Sequence, residues 1–345
     1  MQAMLRIMGA IIAASSLISL PPLLIALALG ENTSTAFLES MATPGIIGFL
    51  LWWPVRHVRY ELRLRDGFFI TTAIWIIASL ITAMPFTLAA PHLSYTDAVF
   101  EAASGLTTTG ATTIIGLDAL PRSMLFFRQS LNFYGGMGIV ILAIAILPML
   151  KIGGMQLFRA ETNGIQKDNK LTPRIAETAR ALWMVYLGLN VLCALSYWLG
   201  GMSMFDAICH AMATVATGGF STHDASFGFW NAPLLDGIAV IFMLLGGINF
   251  GMHWYAWRRA TVGHYQSDSE LRSFVIIALI VSLIVSASLF LGGRFDNIFD
   301  ALRFGAFQAV SNITTTGFFS EDFTRWPGLA PLLLIMIGFV GGCAG

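Results

Sequence analysis

The chain has 345 residues, of which 56% are hydrophobic and 11% charged, with a mean hydropathy of +0.74, whereas soluble domains carry about 25% charged residues. Its 19 Lys and Arg balance 19 Asp and Glu, which leaves no basic excess for nucleic acid. Cys193, Cys209 and Cys343 form no CxxC pair, so neither a disulfide framework nor a zinc site is indicated. Soluble enzymes, nucleic-acid binders and disordered scaffolds are excluded, and we expect an all-α polytopic membrane protein in a lipid bilayer.

Stretches of about 20 apolar residues can cross the roughly 30 Å hydrocarbon core as helices. We expect the first such stretch to be a retained helix, because its apolar run is too long for a typical signal peptide. The predicted spans are 5–29, 36–55, 67–90, 124–150, 181–201, 232–256, 273–293 and 329–345.

Most of the Lys and Arg residues lie in the loops after the second, fourth and sixth spans. Short cytoplasmic loops are enriched in positive charge. This distribution therefore predicts that these loops and the N-terminus are cytoplasmic.

The outward connections contain an internal repeat. Each has a shorter apolar segment followed by a Thr/Gly-rich turn, within 94–113, 204–222 and 299–320. Taking Gly110, Gly218 and Gly317 as equivalent gives a spacing of about 100 residues, typical of a repeated structural unit. Each unit reads as helix, half-helix, loop, helix, and the second helix carries a Gly-Gly pair at 135–136, 246–247 or 341–342.

Such a repeat is suited to an ion path. Non-helical backbone at membrane depth occurs only where protein buries it or where it lines a water-filled cavity. A half-helix entering from outside points its partially negative C-terminal end inward, which favours a cation, and carbonyl oxygens of the following loop can replace the water shell of the ion. The Thr-Gly segments contain no Asp or Glu, which favours a monovalent cation over Ca²⁺.

The chain resembles the Trk, Ktr and HKT potassium-transporter superfamily, and within it the bacterial TrkH type. The resemblance spans nearly the whole chain. Its motifs are GLTTTGATT (105–113), LPRSMLFFRQ (120–129), GGMGIVILAIAILPML (135–150), GGMQLFRAE (153–161), KDNKLTPRIAETA (167–179), ATGGFSTHDAS (216–226), TTTGFFS (314–320) and GGCAG (341–345).

The resemblance implies four helix–pore-helix–loop–helix units around a pseudo-fourfold pore, preceded by a two-helix hairpin. We expect the hairpin and its basic loop at 1–66, and pore units at 67–180, 181–272 and 273–345. Potassium would bind at the filter residues of the three units, and Gly110, where sodium-passing members often have Ser, points to potassium. The expected filter residues are Thr108, Thr109 and Gly110, then Ala216, Thr217 and Gly218, then Thr315, Thr316 and Gly317.

The implied function is potassium uptake across the bacterial inner membrane, with K⁺ as substrate, no cofactor and no enzymatic activity. The family also implies a homodimer and a cytosolic nucleotide-binding regulator of the TrkA kind, for which the basic loop 151–180 is a candidate docking surface. Transport could be channel-like or a symport with H⁺ or Na⁺. A fourth filter would fall beyond residue 345, so we expect a fragment. The alternative is a non-conducting scaffold or accessory subunit, if the chain ends there naturally.

Several polar residues within the apolar segments have structural interpretations. Asp97 and Asp206 are expected to cap the half-helices and to attract cations outside the pore. Glu101, Arg128, Asn132 and Arg303 are expected to pack or to form hydrogen bonds, because intramembrane charges find partners. The Gly-Gly pairs are expected to permit close helix approach, and we do not interpret His210 and His223 as a metal site because supporting ligands are missing from the sequence around them.

Overall fold

The computed structural model describes residues 2–57, 64–138, 175–259 and 263–341. All regular secondary structure in these ranges is helical, which confirms the predicted fold class. The chain divides into two compact units, one comprising Met1–Thr107 with Ala111–Arg180 and the other Thr108–Gly110 with Ala181–Gly345.

Seven α-helices of the described residues belong to the first unit. A short 3₁₀ turn, Ser16–Ser19, joins the first two of them, so that Met4–Leu29 is continuous enough to count as one span. The helices are α1 (Gln2–Ser15), α2 (Leu20–Leu29), α3 (Ser34–Trp52), α4 (Leu64–Thr82), α5 (Met84–Leu88), α6 (Tyr95–Leu106) and α7 (Arg122–Gly136).

The described residues that follow form eight more helices. The first of them, α8, begins within the first unit and continues into the second. They are α8 (Ile175–Leu199), α9 (Met204–Val215), α10 (Pro233–Gly246), α11 (Phe250–Arg259), α12 (Gly263–Ser267), α13 (Ser269–Leu291), α14 (Ile298–Ile313) and α15 (Ala330–Ile337).

Four of the predicted spans are confirmed as continuous apolar helices long enough to cross a membrane: Met4–Leu29, Ser34–Val55, Arg180–Leu199 and Ser269–Leu291. The predicted span 232–256 is not one continuous helix, because α10 and α11 meet at an angle of 93°. Gly246 and Gly247 favour a break since glycine is a poor helix former. The Asn249 side chain then accepts a hydrogen bond from the Gly251 N–H (2.8 Å) and caps α11.

Of the remaining spans, 67–90 is described throughout, whereas 124–150 and 329–345 are described only in part. Over 67–90 the chain forms α4 and the short α5, and over 124–150 it forms α7 as far as Gly136. Residues 139–150 and most of the basic loop 151–180, including the candidate regulator surface, lie outside the described residues, as do 342–345 at the end of the last predicted span.

Small residues hold the N-terminal hairpin together. A Cβ atom built on Gly9 would lie 2.9 Å from the Gly48 carbonyl oxygen, and one built on Gly48 would lie 2.7 Å from the Gly9 carbonyl oxygen. Close backbone approach at glycine is a common way to associate helices in a membrane, where the hydrophobic effect gives no driving force between them. The α1–α3 hairpin therefore depends on these two glycines.

The three half-helices predicted from the repeat are α6, α9 and α14, with 12, 12 and 16 residues. The expectation that Asp97 and Asp206 are their N-caps is wrong by three residues. Ser94 and Ser203 are the caps, and their hydroxyl oxygens accept hydrogen bonds from the Asp97 and Asp206 N–H groups. Each aspartate accepts a hydrogen bond from its serine hydroxyl in return, at 2.7 Å, and its charge is favourable in the first helical turn.

Candidate ion-selectivity site

The three Thr/Gly loops begin where the half-helices α6, α9 and α14 end. Residues Thr108–Gly110 of the first loop belong to the same compact unit as the second and third loops. The structure therefore brings together the three segments that the repeat predicted to be equivalent.

Each half-helix is followed by a threonine in the left-handed conformation. Thr108, Thr217 and Thr315 have φ values of 53°, 50° and 58°, and each lies two residues after the last helical residue. Glycine usually occupies this position, and a β-branched residue there is a genuine outlier. Strain of this kind costs of order 1–3 kcal/mol per residue and is concentrated at functional sites.

Backbone hydrogen bonds end the second and third half-helices in the same way. Gly218 N–H donates to the Ala213 carbonyl (2.8 Å) and Thr316 N–H to the Ser311 carbonyl (2.9 Å). Together with the left-handed threonine between helix and loop, these bonds form the Schellman motif. Gly218 is therefore the structural equivalent of Thr316.

The expected equivalence of Gly110, Gly218 and Gly317 is consequently wrong by one residue in the second loop. The second left-handed residue of each loop is Gly110 (φ 76°), Gly219 (φ 74°) or Gly317 (φ 83°). The repeat in the sequence could be matched through either glycine because ATGG contains two adjacent glycines, and only the backbone conformation distinguishes them.

Contacts between the loops follow the corrected register. A Cβ atom on Gly110 would lie 2.5 Å from the Gly218 carbonyl oxygen, and one on Gly219 would overlap the Thr316 carbonyl oxygen. In both pairs the left-handed glycine of one loop faces the carbonyl of the residue before the left-handed glycine in the next loop. Around Gly317, a Cβ atom would meet no described residue within 4 Å.

In the third loop the threonine hydroxyls form hydrogen bonds with neighbouring residues of the same segment. The fully buried Thr316 side chain shares a hydrogen bond with the Thr314 hydroxyl (2.8 Å), and the Thr315 hydroxyl donates to the Thr314 carbonyl (2.7 Å). Because these hydroxyls have protein partners, backbone carbonyls are the principal oxygen atoms that the third loop offers to a ligand.

The charged residues inside the half-helices have the partners that the sequence led us to expect. Glu101 and Arg128 are both fully buried, and the Arg128 Nε donates to Glu101 Oε1 at 2.7 Å. Arg303 Nε donates to Asp236 Oδ2 at 2.6 Å, although the sequence did not identify Asp236 as the partner. Asn132 is buried, and its amide has no hydrogen-bond partner in the described part of the chain.

Two of the Gly-Gly pairs permit close approach, as expected. A Cβ atom on Gly135 would overlap the Leu106 carbonyl oxygen, and one on Gly246 would lie 2.7 Å from the Val215 carbonyl oxygen. Each contact is made with the last residue of a half-helix, so the glycine lets the next helix pack directly against the start of the loop. Gly341 has no such contact, and Gly342 lies outside the described residues.

His210 and His223 occupy different surroundings. His210 is fully buried, with Nδ1 2.9 Å from the Asp206 carbonyl oxygen and Nε2 3.0 Å from the Ser221 hydroxyl. His223 stacks on Phe229 with ring centroids 3.6 Å apart, and its Nε2 lies 3.6 Å from Asp206 Oδ1. Sequence analysis missed the role of His210 in the second loop, although its position five residues before the end of α9 could have indicated it.

Comparison with known proteins agrees with this geometry. The profile of the TrkH family, described as a cation transport protein, matches residues 33–345. The Trk system potassium uptake protein TrkH of Salmonella typhimurium is 45% identical over 345 residues, which cover 100% of this chain and 71% of that protein. The Trk system potassium uptake protein TrkG of Escherichia coli is 40% identical over 331 residues, 96% of this chain and 68% of TrkG.

The crystal structure of the potassium transporter TrkH from Vibrio parahaemolyticus superposes with a TM-score of 0.88 at 41% identity, covering 99% of this chain and 70% of that one. Identity at this level over nearly the whole chain, together with the shared all-helical fold, confirms the resemblance read from the motifs. The chain belongs to the TrkH family of membrane cation-transport proteins, which are transporters rather than enzymes.

Proposed function

We propose that this chain contributes the selectivity filter of a potassium-uptake protein, and that the filter is lined by backbone carbonyls of the three Thr/Gly loops. The carrying observation is that two of the left-handed glycines lie against a carbonyl of the next loop, Gly110 against that of Gly218 and Gly219 against that of Thr316. Three loops in sequential contact can surround an ion, and closely spaced carbonyls can replace its hydration shell.

The proposed filter residues follow the corrected register. They are Thr108, Thr109 and Gly110 in the first loop, Thr217, Gly218 and Gly219 in the second, and Thr315, Thr316 and Gly317 in the third. Alternation between left-handed and ordinary φ values along each loop supports this choice, because it turns successive carbonyls toward the same side. Ala216 ends the second half-helix as its C-cap and is not part of the proposed filter.

The negative ends of the half-helices support binding of a cation. The last carbonyls of α6, α9 and α14 precede the filter loops directly, and a helix C-terminus is equivalent to roughly half a negative charge. No fixed carboxylate lies within the filter segments, so a monovalent ion would be attracted without being trapped. Inward movement of one positive charge at 100 mV, inside negative, releases about 2.3 kcal/mol, enough for downhill uptake.

The proposal includes the arrangement of the chain in the membrane. A hairpin at 1–66 would precede pore units at 67–180, 181–272 and 273–345, with the N-terminus and the basic loops in the cytoplasm of a bacterial cell and the membrane being the inner one. The names of the relatives describe a Trk system, which supports assembly with other subunits. In this proposal the chain forms a homodimer and binds a cytosolic nucleotide-binding regulator that contacts the loop 151–180.

The test is ⁸⁶Rb⁺ uptake by cells that lack their own potassium-uptake systems and express the protein from its own gene. We expect uptake above the empty-vector level that is inhibited by K⁺ and only weakly by Na⁺. Immunoblotting of membranes serves as the control for expression. Uptake at the empty-vector level with the protein present in the membrane, or equal inhibition by the two ions, would overturn the proposal.

A further inference from the structure

We propose that the residue five positions before the end of each half-helix is a positioning residue, which holds the outer side of the adjacent filter loop and thereby sets its discrimination between K⁺ and Na⁺. These residues are Glu101 in α6, His210 in α9 and Gln308 in α14. The inference rests on the filter function proposed above and adds residues that lie outside the filter itself.

In the first loop a buried carboxylate, that of Glu101, forms the hydrogen bonds between half-helix and loop. Glu101 accepts hydrogen bonds from the Thr112 hydroxyl at 2.9 and 3.0 Å and from the Thr113 N–H at 3.1 Å. Arg128 fixes the same carboxylate through its Nε at 2.7 Å, and its Nη2 donates to the Thr112 hydroxyl oxygen at 3.2 Å. Thr112 lies two residues after the left-handed Gly110, so Glu101 fixes the position of the chain segment that directly follows the filter residues.

In the second loop the buried imidazole of His210 takes the role that Glu101 has in the first. Because the Asp206 carbonyl can only accept, His210 Nδ1 carries the proton and donates to it at 2.9 Å. Nε2 is then the acceptor for the Ser221 hydroxyl at 3.0 Å. Ser221 lies two residues after the left-handed Gly219, as Thr112 does after Gly110.

The Thr112 and Ser221 hydroxyls also have a second hydrogen bond in common, from a backbone N–H two residues further along the chain. The Ile114 N–H donates to the Thr112 hydroxyl oxygen at 3.0 Å, and the His223 N–H donates to the Ser221 hydroxyl oxygen at 3.1 Å. The two hydroxyls therefore occupy equivalent positions in the corrected register, and each connects its half-helix to the outgoing chain.

In the third loop the side chain of Gln308 forms its hydrogen bond with the backbone of the loop. Gln308 Nε2 donates to the Phe318 carbonyl at 3.4 Å, and the Ser311 hydroxyl donates to the same oxygen at 2.6 Å. Phe318 directly follows the left-handed Gly317. Three different side chains, an acid, an imidazole and an amide, thus occupy one position of the half-helix, and each forms a hydrogen bond to a residue one or two positions after the left-handed glycine.

The physical consequence is a short loop fixed at both ends. The half-helix holds the start of each filter segment, and the positioning residue holds its end one or two residues after the left-handed glycine. Discrimination by carbonyls depends on their number, spacing and freedom to move. A loop released at its outer end can close on the smaller Na⁺ ion, whereas a fixed loop cannot.

The experiment removes the hydroxyl partners in the first two loops while leaving the half-helices intact. Thr112→Val and Ser221→Ala delete the bonds, whereas Thr112→Ser and Ser221→Thr retain a hydroxyl. Thr82→Val is the matched control, since within the described ranges its buried hydroxyl bonds only to the Ala78 carbonyl of its own helix (2.7 Å). The measured quantity is the ratio of the Na⁺ and K⁺ concentrations that halve ⁸⁶Rb⁺ uptake in the cells described above.

We expect Thr112→Val and Ser221→Ala each to lower this ratio about tenfold, because each substitution removes the hydrogen bonds of its hydroxyl, including the one to the positioning residue, and a hydrogen bond contributes free energy of this order. The hydroxyl-retaining variants should remain within about twofold of the unsubstituted protein, by the same reasoning, and Thr82→Val should not change the ratio. An unchanged ratio in Thr112→Val and Ser221→Ala would overturn the positioning role while leaving the proposed filter standing. Absence of K⁺ preference in the unsubstituted protein would instead overturn the proposed function and this inference with it.

Discussion

Replacing Gly219 by alanine should be the most damaging single-methyl change among the three left-handed filter glycines. A left-handed conformation costs an L-residue roughly 1–2 kcal/mol. At Gly219 the new Cβ atom would also overlap the Thr316 carbonyl oxygen, and overpacking of this kind costs about 1–3 kcal/mol. We therefore expect Gly219→Ala to lower the free energy of unfolding by about 2–5 kcal/mol.

Gly317 provides the matched control, because its φ of 83° is similar but a Cβ atom there meets no described residue within 4 Å. Gly317→Ala should carry only the conformational cost, about 1–2 kcal/mol. Gly110→Ala, with its Cβ atom 2.5 Å from the Gly218 carbonyl oxygen, should resemble Gly219→Ala. Gly218→Ala adds no left-handed strain, since φ at Gly218 is negative.

The assay is thermal unfolding of the purified protein in detergent, in excess KCl and in excess choline chloride. An ion that binds only the folded state stabilises it by about 2.7 kcal/mol at one hundred times its dissociation constant. The K⁺-dependent rise in the midpoint therefore reports the filter, and the midpoint in choline reports the fold. We expect Gly219→Ala to lower both. Equal losses in Gly219→Ala and Gly317→Ala would refute the contact argument, and a greater loss in Gly218→Ala than in Gly219→Ala would refute the corrected register.

Three further predictions concern residues outside the loops, and the midpoint in choline tests each. Arg303→Gln should cost about 3–5 kcal/mol because it leaves Asp236 buried without its charge partner, and the double variant with Asp236→Asn should recover part of that loss; equal midpoints for single and double variants would contradict the pairing. Ser203→Ala should cost about 1 kcal/mol through loss of the α9 cap, and no change would show that Ser203 is dispensable there. Gly48→Ala should lower the midpoint by forcing α1 away from α3. Gly237→Ala should raise the midpoint, because this helical glycine has no described neighbour within 4 Å of its Cβ position and alanine stabilises a helix by up to about 1 kcal/mol relative to glycine. The reverse order would contradict glycine-mediated packing of the hairpin.

Much of the fold followed from the sequence because the membrane allows few solutions. Long apolar segments must be helical to satisfy their backbone groups, and those over 5–29, 36–55, 181–201 and 273–293 are confirmed. The 93° break between Gly246 and Phe250 was missed, because hydropathy averages over a window and does not respond to a glycine pair followed by a capping Asn249.

The candidate site was found from the sequence only in outline. Recurrence of a half-helix and a Thr/Gly turn located all three loops, and an intramembrane charge implied partners for Glu101 and Arg303. Asp236 could not be identified as the partner of Arg303, since they are far apart in sequence. The pairing of His210 with Ser221 was missed because buried histidines have many structural uses and the loop path was unknown.

The amino-acid sequence alone determined that the protein is a helical membrane protein, where its loops lie and which family it belongs to, because those properties depend on hydropathy, repeat spacing and local motifs. Only the tertiary structure decided which glycine of ATGG is the left-handed one, which carbonyl faces it and which side chain holds the outgoing chain. Those properties depend on backbone dihedral angles and on tertiary contacts, some of them between residues about 100 positions apart. A sequence with two adjacent glycines permits either register, and close packing of the neighbouring carbonyls selects one.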